Sequence, residues 1–444
     1  MFCSPTQFLT RHHGGPQSVG LDSPLMPQPD TPLNQPAPTS RSTLRRRLLL
    51  TVLIVLVAAA STIYGLVQLN EDNDDDGAAA DPRPEASATP ICRAEGEFVA
   101  GFMSPQADDQ RTQSILETMN TDAVTFGGRI VPAEAADYPG EVAEAIGGRD
   151  AYEYTVAMHW DGNDLAEPDQ IVQIGDTSFG IIAAGDNSVV ITESSAGADH
   201  FHSLTRTATE LDTNAFIGLP VPQMRTSGET WLPDNSYADV VDAFSQKFVT
   251  AYQQRGADGF YLAMEMPLTP EAHWNPVTDY YARQTHIIND IAPGTTVLIS
   301  PYLEGRQDRQ TISPETAARG YEKLLGLGNG TRIVVSPQDG VGVGTTALAA
   351  DESEAHSVTV EDYFAALHEV DPERLYVTIE AMTPGGGSPD SREPTTRDRV
   401  EEQLDATDPY VQGAIGFQWA EPNSMVHIDH IGAGACAAGP GQLE

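Results

Sequence analysis

GFYLAMEM (259–266) is the stretch whose reading decides the fold. It reads as a buried strand, yet a lone carboxylate, Glu265, sits near its end. Strand side chains alternate between faces. Phe260, Leu262, Met264 and Met266 therefore share one face, and Tyr261, Ala263 and Glu265 share the other. The first face suits packing against helices. The second would line the lumen of a barrel, with Glu265 at its C-terminal mouth, where barrel proteins build their sites. LYVTIEAM (375–382) repeats the arrangement: Leu375, Val377 and Ile379 on one face, and Tyr376, Thr378 and Glu380 on the other.

Further strand-like runs extend the pattern along the chain. They are EFVAGFM (97–103), DAVTFGG (122–128), AFIGLPV (215–221), TVLISPYL (296–303), RIVVSPQD (332–339) and GAIGFQWA (413–420). Helix-like segments separate most of them, at 108–120, 237–256, 276–291, 314–327, 359–370 and 396–407. The best has apolar residues at helical spacing and Gly256 as its stop signal. Eight strands alternating with helices predict an α/β protein with a parallel (β/α)8 TIM barrel. An open doubly wound sheet is the alternative. The count of eight treats 129–213 as an insertion. Within it YTVAMHW, QIVQIG, FGIIAAG and SVVITES read as β-hairpins joined by Gly, Asn and Asp turns, giving a small added sheet or a lid.

Outside the barrel the composition changes. Residues 1–47 are rich in Pro, Ser, Gln and Thr and read as a disordered cytoplasmic tail. LLLTVLIVLVAAASTIYGLV (48–67) is apolar and uncharged, and about 20 such residues span a bilayer as a helix. Arg41, Arg45, Arg46 and Arg47 precede it and EDNDDD (71–76) follows, so the positive-inside rule puts the N-terminus in the cytoplasm. Ala58, Ala59 and Ala60 resemble a signal-peptidase site. The long leader and long apolar run argue instead for an uncleaved transmembrane helix at 48–68. Residues 69–91 read as an acidic, Pro/Ala-rich linker. Residues 92–440 then form an extracellular domain on a single-pass cell-membrane protein.

The chain carries 64 acidic and 24 basic residues, a net charge of −40. The tail before the apolar run is basic, so the acidity lies in the outer part. Such a surface repels nucleic acid, which is excluded as a partner. Three cysteines occur, without CxxC or Cys/His zinc spacing. Cys92 and Cys436 flank the folded part, and an oxidising compartment permits a disulfide between them; two separate buried thiols are the other reading.

Two carboxylates converging at one barrel mouth can divide the labour of glycoside hydrolysis, one as general acid and the other as nucleophile or base. Glu265 and Glu380 are the catalytic candidates. Each taken alone also reads as a structural hydrogen-bond acceptor or ion-pair partner. ISPY (299–302) and VSPQD (335–339) echo each other and would bring Tyr302, Gln338 and Asp339 to the rim. FQWAEPN (417–423) offers Trp419 and Glu421, and Tyr261 and Trp274 complete the substrate-binding candidates. Aromatic faces stack on sugar rings, while carboxylates and amides bind hydroxyls. His273 and Trp231 are weaker candidates, since loop aromatics are often packing residues. GVGVG (340–344) lacks the spacing of a nucleotide-binding loop, and no GxSxG elbow is present. DHFH (199–202) and HIDH (427–430) lack recognised metal-ligand spacing. No cofactor and no metal are expected.

FIGLPVP (216–222), GFYLAMEMPL (259–268), LISPYL (298–303) and VVSPQDGVGVG (334–344) together resemble the domain-of-unknown-function 4434 family. The resemblance covers roughly 97–425 and implies a TIM barrel that is glycoside-hydrolase-like. The placement of the two glutamates is also similar to the retaining-glycosidase superfamily, with an acid/base after strand 4 and a nucleophile after strand 7. That resemblance implies acid/base Glu265 and nucleophile Glu380. Those enzymes usually have Asn before the acid/base, where this chain has Met264. Two readings compete with a hydrolase: a non-catalytic carbohydrate-binding or cell-wall scaffold barrel, and a barrel enzyme with Asp339 and Glu265 holding a metal.

Overall fold

The structure is a computed structural model that describes residues 98–103, 116, 121–160, 168–194, 199–222, 238–349, 356, 358–384 and 392–417. The expected tail, transmembrane run and linker, Cys92, Cys436, Trp231, Trp419 and Glu421 lie outside them. Among the described residues no helix is long and apolar enough to cross a membrane.

Eight parallel strands form one sheet: β1 (Phe98–Met103), β2 (Asp122–Thr125), β8 (Ala215–Gly218), β10 (Gly259–Leu262), β11 (Thr296–Ile299), β12 (Arg332–Val335), β13 (Val377–Ile379) and β16 (Ala414–Gly416). Their order is β12-β11-β10-β8-β2-β1-β16-β13, so the first strand pairs with the last. The two ends of that order also meet. Tyr376 N–H donates to Val335 O and Thr378 N–H to Pro337 O, both at 2.9 Å, and Asp339 N–H returns a bond to Thr378 O at 2.9 Å. These bonds bring β12 and β13 together into a barrel, and the open doubly wound alternative is set aside. Each of the eight lies within a run expected from sequence, and β14 (Met382–Pro384) and β15 (Arg392–Pro394) form a short antiparallel pair between β13 and β16.

The alternation expected for β10 and β13 holds. Phe260, Leu262, Met264, Met266, Leu375, Val377 and Ile379 pack in the large outer core. Tyr261 and Tyr376 pack in a separate inner cluster with Phe102, Val124, Phe216, Leu298, Val334 and Ile415. Above that layer Ser300, Ser336 and Thr378 are buried and bonded to one another, Thr378 Oγ1 lying 3.1 Å from Ser300 Oγ and 2.8 Å from Ser336 Oγ. The repeated Ser-Pro of 300–301 and 336–337 thus builds a polar layer inside the barrel, with every hydroxyl matched.

Helices α2 (His200–Leu211), α3 (Ala238–Gln254), α4 (Asn275–Ile291), α5 (Pro314–Leu325), α6 (Val360–His368) and α7 (Arg397–Thr407) connect the barrel strands. Local signals fix their starts. Ser313 caps α5 with Pro314 behind it, Thr359 and Asp362 form a capping box on α6, and Thr396 caps α7.

The span between β2 and β8 holds β3 (Arg129–Ala133), α1 (Gly140–Ile146), β4 (Asp150–Tyr154), β5 (Gln170–Ile174), β6 (Thr177–Ala184) and β7 (Asn187–Thr192). With β9 (Val221–Pro222) these strands make a second sheet in the order β5-β6-β7-β4-β3-β9. Helix α2 also falls in this span, but it packs against β2 and β8 as a barrel helix. Tyr154 of the added sheet packs against Phe244 and edge-to-face on Phe248 of α3, and Phe248 and Tyr252 meet Phe201 of α2. Each such ring contributes about 1.5–3 kcal/mol by burial.

One ion pair sits against this aromatic cluster. Asp199 caps α2 by accepting from His202 N–H at 2.8 Å, and its other oxygen accepts from His159 N–H at 3.0 Å. Arg255 Nη1 donates to that same oxygen at 3.0 Å, and Nη2 donates to His159 O at 2.7 Å. The Asp199 side chain is fully buried and that of Arg255 nearly so. The added sheet, α2 and the end of α3 are joined at this point.

Candidate active site

Beyond β10 the chain keeps its alternation long enough to turn Glu265 toward the lumen mouth, half-buried. Gln338 Nε2 donates to Glu265 Oε1 at 3.3 Å and to Ser300 O at 3.4 Å. Burial pushes the Glu265 carboxyl above its usual range, and the hydrogen bond from Gln338 offsets part of that rise. Directly below, Tyr261 sits in an aromatic layer with Phe102, Phe126 and Phe417. Its hydroxyl is also held protonated, by burial and then by the Glu265 carboxylate. Tyr261 is a floor beneath the site rather than part of its rim.

Glu380 ends β13 and is 2% exposed. The GVGVG stretch packs on it. Val343 N–H donates to Glu380 Oε2 at 2.9 Å, and a Cβ on Gly342 would fall 2.6 Å from Glu380 Cβ. Gly340 and Gly344 take φ of +70° and +74°, the left-handed turns that fold this loop back. A motif without nucleotide-binding spacing is here a cradle for a carboxylate.

Glu265 and Glu380 stand on strands three apart in a ring of eight. The ladder row Leu262–Ile299–Val335–Leu375 and the bridged row Pro267–Tyr302–Gln338–Thr378 differ by two residues on the β10 side, so Glu380 lies two to four residues higher on its strand than the row of Glu265. In an eight-stranded barrel of shear eight, equal heights advance by about one residue per strand. The advance runs this way: the Tyr261 ring meets Phe102, which lies two residues below its row equivalent on β1. The stagger therefore brings the backbone of the two residues to similar heights on strands three apart.

Gln338 and Tyr302 are bridged neighbours, and Gln338 reaches Glu265. Asp339 does not join them. As the next residue it points the other way, is fully buried, and accepts from Val341 N–H at 3.2 Å, Glu380 N–H at 3.3 Å and Gln403 Nε2 at 2.6 Å. Its expected place at the rim, and its pairing with Glu265 around a metal, are corrected by this alternation. Asp339 instead ties the GVGVG loop to the backbone of Glu380. Gln403, which also donates to Glu380 O at 3.1 Å, went unnoticed in the sequence. Its signal was a polar side chain on the apolar face of α7, between Val400, Leu404 and Thr407.

Burial raises the Asp339 carboxyl to about 6, with its three hydrogen bonds opposing the rise. By linkage, a carboxyl raised above its unfolded value of 3.8 stabilises the fold below about pH 4, and that contribution is lost as pH rises through about 6. Asp339→Asn removes the titration. Urea midpoints at pH 4 and pH 7 should show wild type losing on the order of 1–3 kcal/mol relative to the variant across that interval. An unchanged difference would show that Asp339 is not protonated on folding.

Trp274 and Tyr302 line a cavity of about 290 Å³ beside the mouth, with Thr269, Glu271, Arg309 and Gln310. His273 lies at its edge, 5.2 Å from the Trp274 ring between centroids. Glu304 also faces the cavity, but Arg306 grips its carboxylate with two bonds, at 2.8 and 2.5 Å. Burial, then the Glu304 and Glu265 carboxylates, push the Tyr302 hydroxyl up to about 12. Tyr302 thus stands between the cavity and Glu265. Among the described residues, no group of three or more His, Cys, Asp or Glu side chains is arranged to hold a metal.

A family profile described as Domain of unknown function (DUF4434) matches residues 185–425. No curated protein matches the chain. Among solved structures, a protein provisionally assigned as an alpha-L-fucosidase from Bacteroides thetaiotaomicron VPI-5482 is 11% identical, with a TM-score of 0.49 over 77% of this chain and 91% of that one. A GH18 chitinase from Pseudoalteromonas aurantia is 10% identical, with a TM-score of 0.35 over 73% of this chain and 94% of that one. The carboxyl transferase domain of Rhizobium etli pyruvate carboxylase is 13% identical, with a TM-score of 0.32 over 50% of this chain and 30% of that one.

Proposed function

This chain belongs to the DUF4434 family, and on that premise we propose that it is a glycoside hydrolase acting on an extracellular or cell-envelope polysaccharide. The observation that carries the reading is Glu265: half-buried at the barrel mouth, raised by burial, and held by a hydrogen bond from Gln338. A carboxyl raised in this way stays protonated at a pH where an ordinary one is ionised, which suits a general acid. Glu265 donates its proton to the glycosidic oxygen as the bond to the anomeric carbon breaks. Glu380, held by Val343 N–H, is the nucleophile, or the base for water if the reaction inverts. Carboxyl groups ~5–5.5 Å apart retain configuration and ~6.5–9.5 Å apart invert it. Gln338, Tyr302 and Trp274 bind sugar, and Asp339 positions Glu380.

The test is hydrolysis of a panel of polysaccharides and aryl glycosides by the full-length chain in detergent, with Glu265→Gln and Glu380→Gln as controls. Cleavage that both variants abolish supports the assignment; cleavage they leave intact sinks it. One observation favours a second reading. Glu380 is almost wholly covered by the GVGVG loop, as suits a structural carboxylate in a carbohydrate-binding barrel. Binding of a polysaccharide with no hydrolysis by wild type selects that reading.

We further propose that residues 48–68 anchor the protein in the cell membrane with the barrel outside. The full chain should stay in the membrane pellet after an alkaline carbonate wash, while a chain lacking residues 1–70 becomes soluble. Release of the full chain would remove the anchor.

A further inference from the structure

We infer that the cavity beside Tyr302 is a subsite for the departing sugar, so that the bond cleaved lies between two sugar units. This rests on the hydrolase reading and adds to it. A general acid gives its proton to the oxygen of the leaving group. The ring nearest Glu265 is therefore the one that departs. In that step the bond from the anomeric carbon to the bridging oxygen breaks. Its electron pair stays on the oxygen, which takes the Glu265 proton, and Glu380 or water captures the anomeric carbon.

The position of the cavity fits this role. Tyr302 lines it and is the bridged neighbour of Gln338, which holds Glu265. Its size, about 290 Å³, falls just short of the ~300–1,000 Å³ typical of small-molecule sites, room for a single sugar ring. The lining matches a hydroxyl-rich ring. Trp274 and Tyr302 offer aromatic surface, while Thr269, Thr311 and Gln310 supply both donors and acceptors. The charges point to a neutral sugar. Glu304 is neutralised by Arg306, which leaves Arg309 and Glu271 opposed in sign.

The test uses the full-length chain and two variants. Trp274→Ala removes the aromatic surface. Gln310→Trp fills the cavity from an exposed position, where folding is not at stake. Binding is read by calorimetry with methyl glycosides of glucose, galactose, mannose, xylose and N-acetylglucosamine. At least one should bind to wild type, and each variant should weaken it at least tenfold. Kinetics are read as the ratio of kcat/KM on an oligosaccharide to that on an aryl monoglycoside, which should fall at least tenfold in Gln310→Trp. An aryl glycoside cleaved with that ratio unmoved overturns the subsite and leaves the hydrolase standing. Binding that Gln310→Trp blocks, without any cleavage by wild type, overturns the hydrolase and the leaving-group role together. No glycoside bound to wild type overturns the subsite.

Discussion

Glu265→Gln should lower kcat on a sugar-linked substrate by about 10²–10⁴-fold, the usual contribution of a positioned general acid. The loss should be far smaller on a nitrophenyl glycoside, because nitrophenolate departs without a proton. The pH profile gives a second readout. An acid works while protonated, so burial of Glu265 extends activity toward higher pH, and its titration sets the alkaline limb. Glutamine has no such titration, and the limb should flatten. The substitution preserves the shape of the side chain, so circular dichroism and urea midpoint should match wild type. Equal losses on both leaving groups, with the alkaline limb unmoved, would take the acid role from Glu265.

Asp199→Ala should destabilise the domain by about 3–5 kcal/mol, the cost of removing one partner from a buried ion pair. Two effects combine. Arg255 stays in a buried setting without its carboxylate. The N–H groups of His159 and His202 lose their acceptor, one of them a helix cap usually worth about 0.5–2 kcal/mol. Asp199→Asn separates the two, since the amide oxygen still accepts at one position while the charge is gone. Its cost should fall between wild type and alanine. The urea midpoint measures both. A change below about 1 kcal/mol for alanine would mean that the aromatic contacts of Tyr154 with Phe244 and Phe248 hold the added sheet without the ion pair.

Much of this was legible in the sequence because a strand's period of two needs no long-range information. The opposite facings of Met264 and Glu265 follow from alternation alone, and so do those of Ile379 and Glu380. The same rule would have separated Gln338 from Asp339, since adjacent strand residues cannot both face one lumen. The echo of the two Ser-Pro steps was visible, but its meaning was not. It depends on Thr378, which reaches both serines only once the barrel has formed. The Glu304–Arg306 pair, the Gln403 anchor and the GVGVG cradle were hidden for a related reason. Each is a choice of partner among several available, settled by the packing of neighbouring loops. The barrel role of α2 was masked by its position directly after a run of hairpins.

The pairing of β1 with β16 has a consequence for how the protein must be made. The seam joins Phe98 to Ala414, residues separated by most of the domain. Synthesis delivers β1 early and its neighbour almost last. Until then β1 and β13 keep open hydrogen-bonding edges, the features that invite pairing with other chains. Contacts so distant in sequence also form slowly. The interval between the emergence of the first strand and of the last is therefore the period of greatest exposure to aggregation, and chain termination before residue 414 would make that exposure permanent.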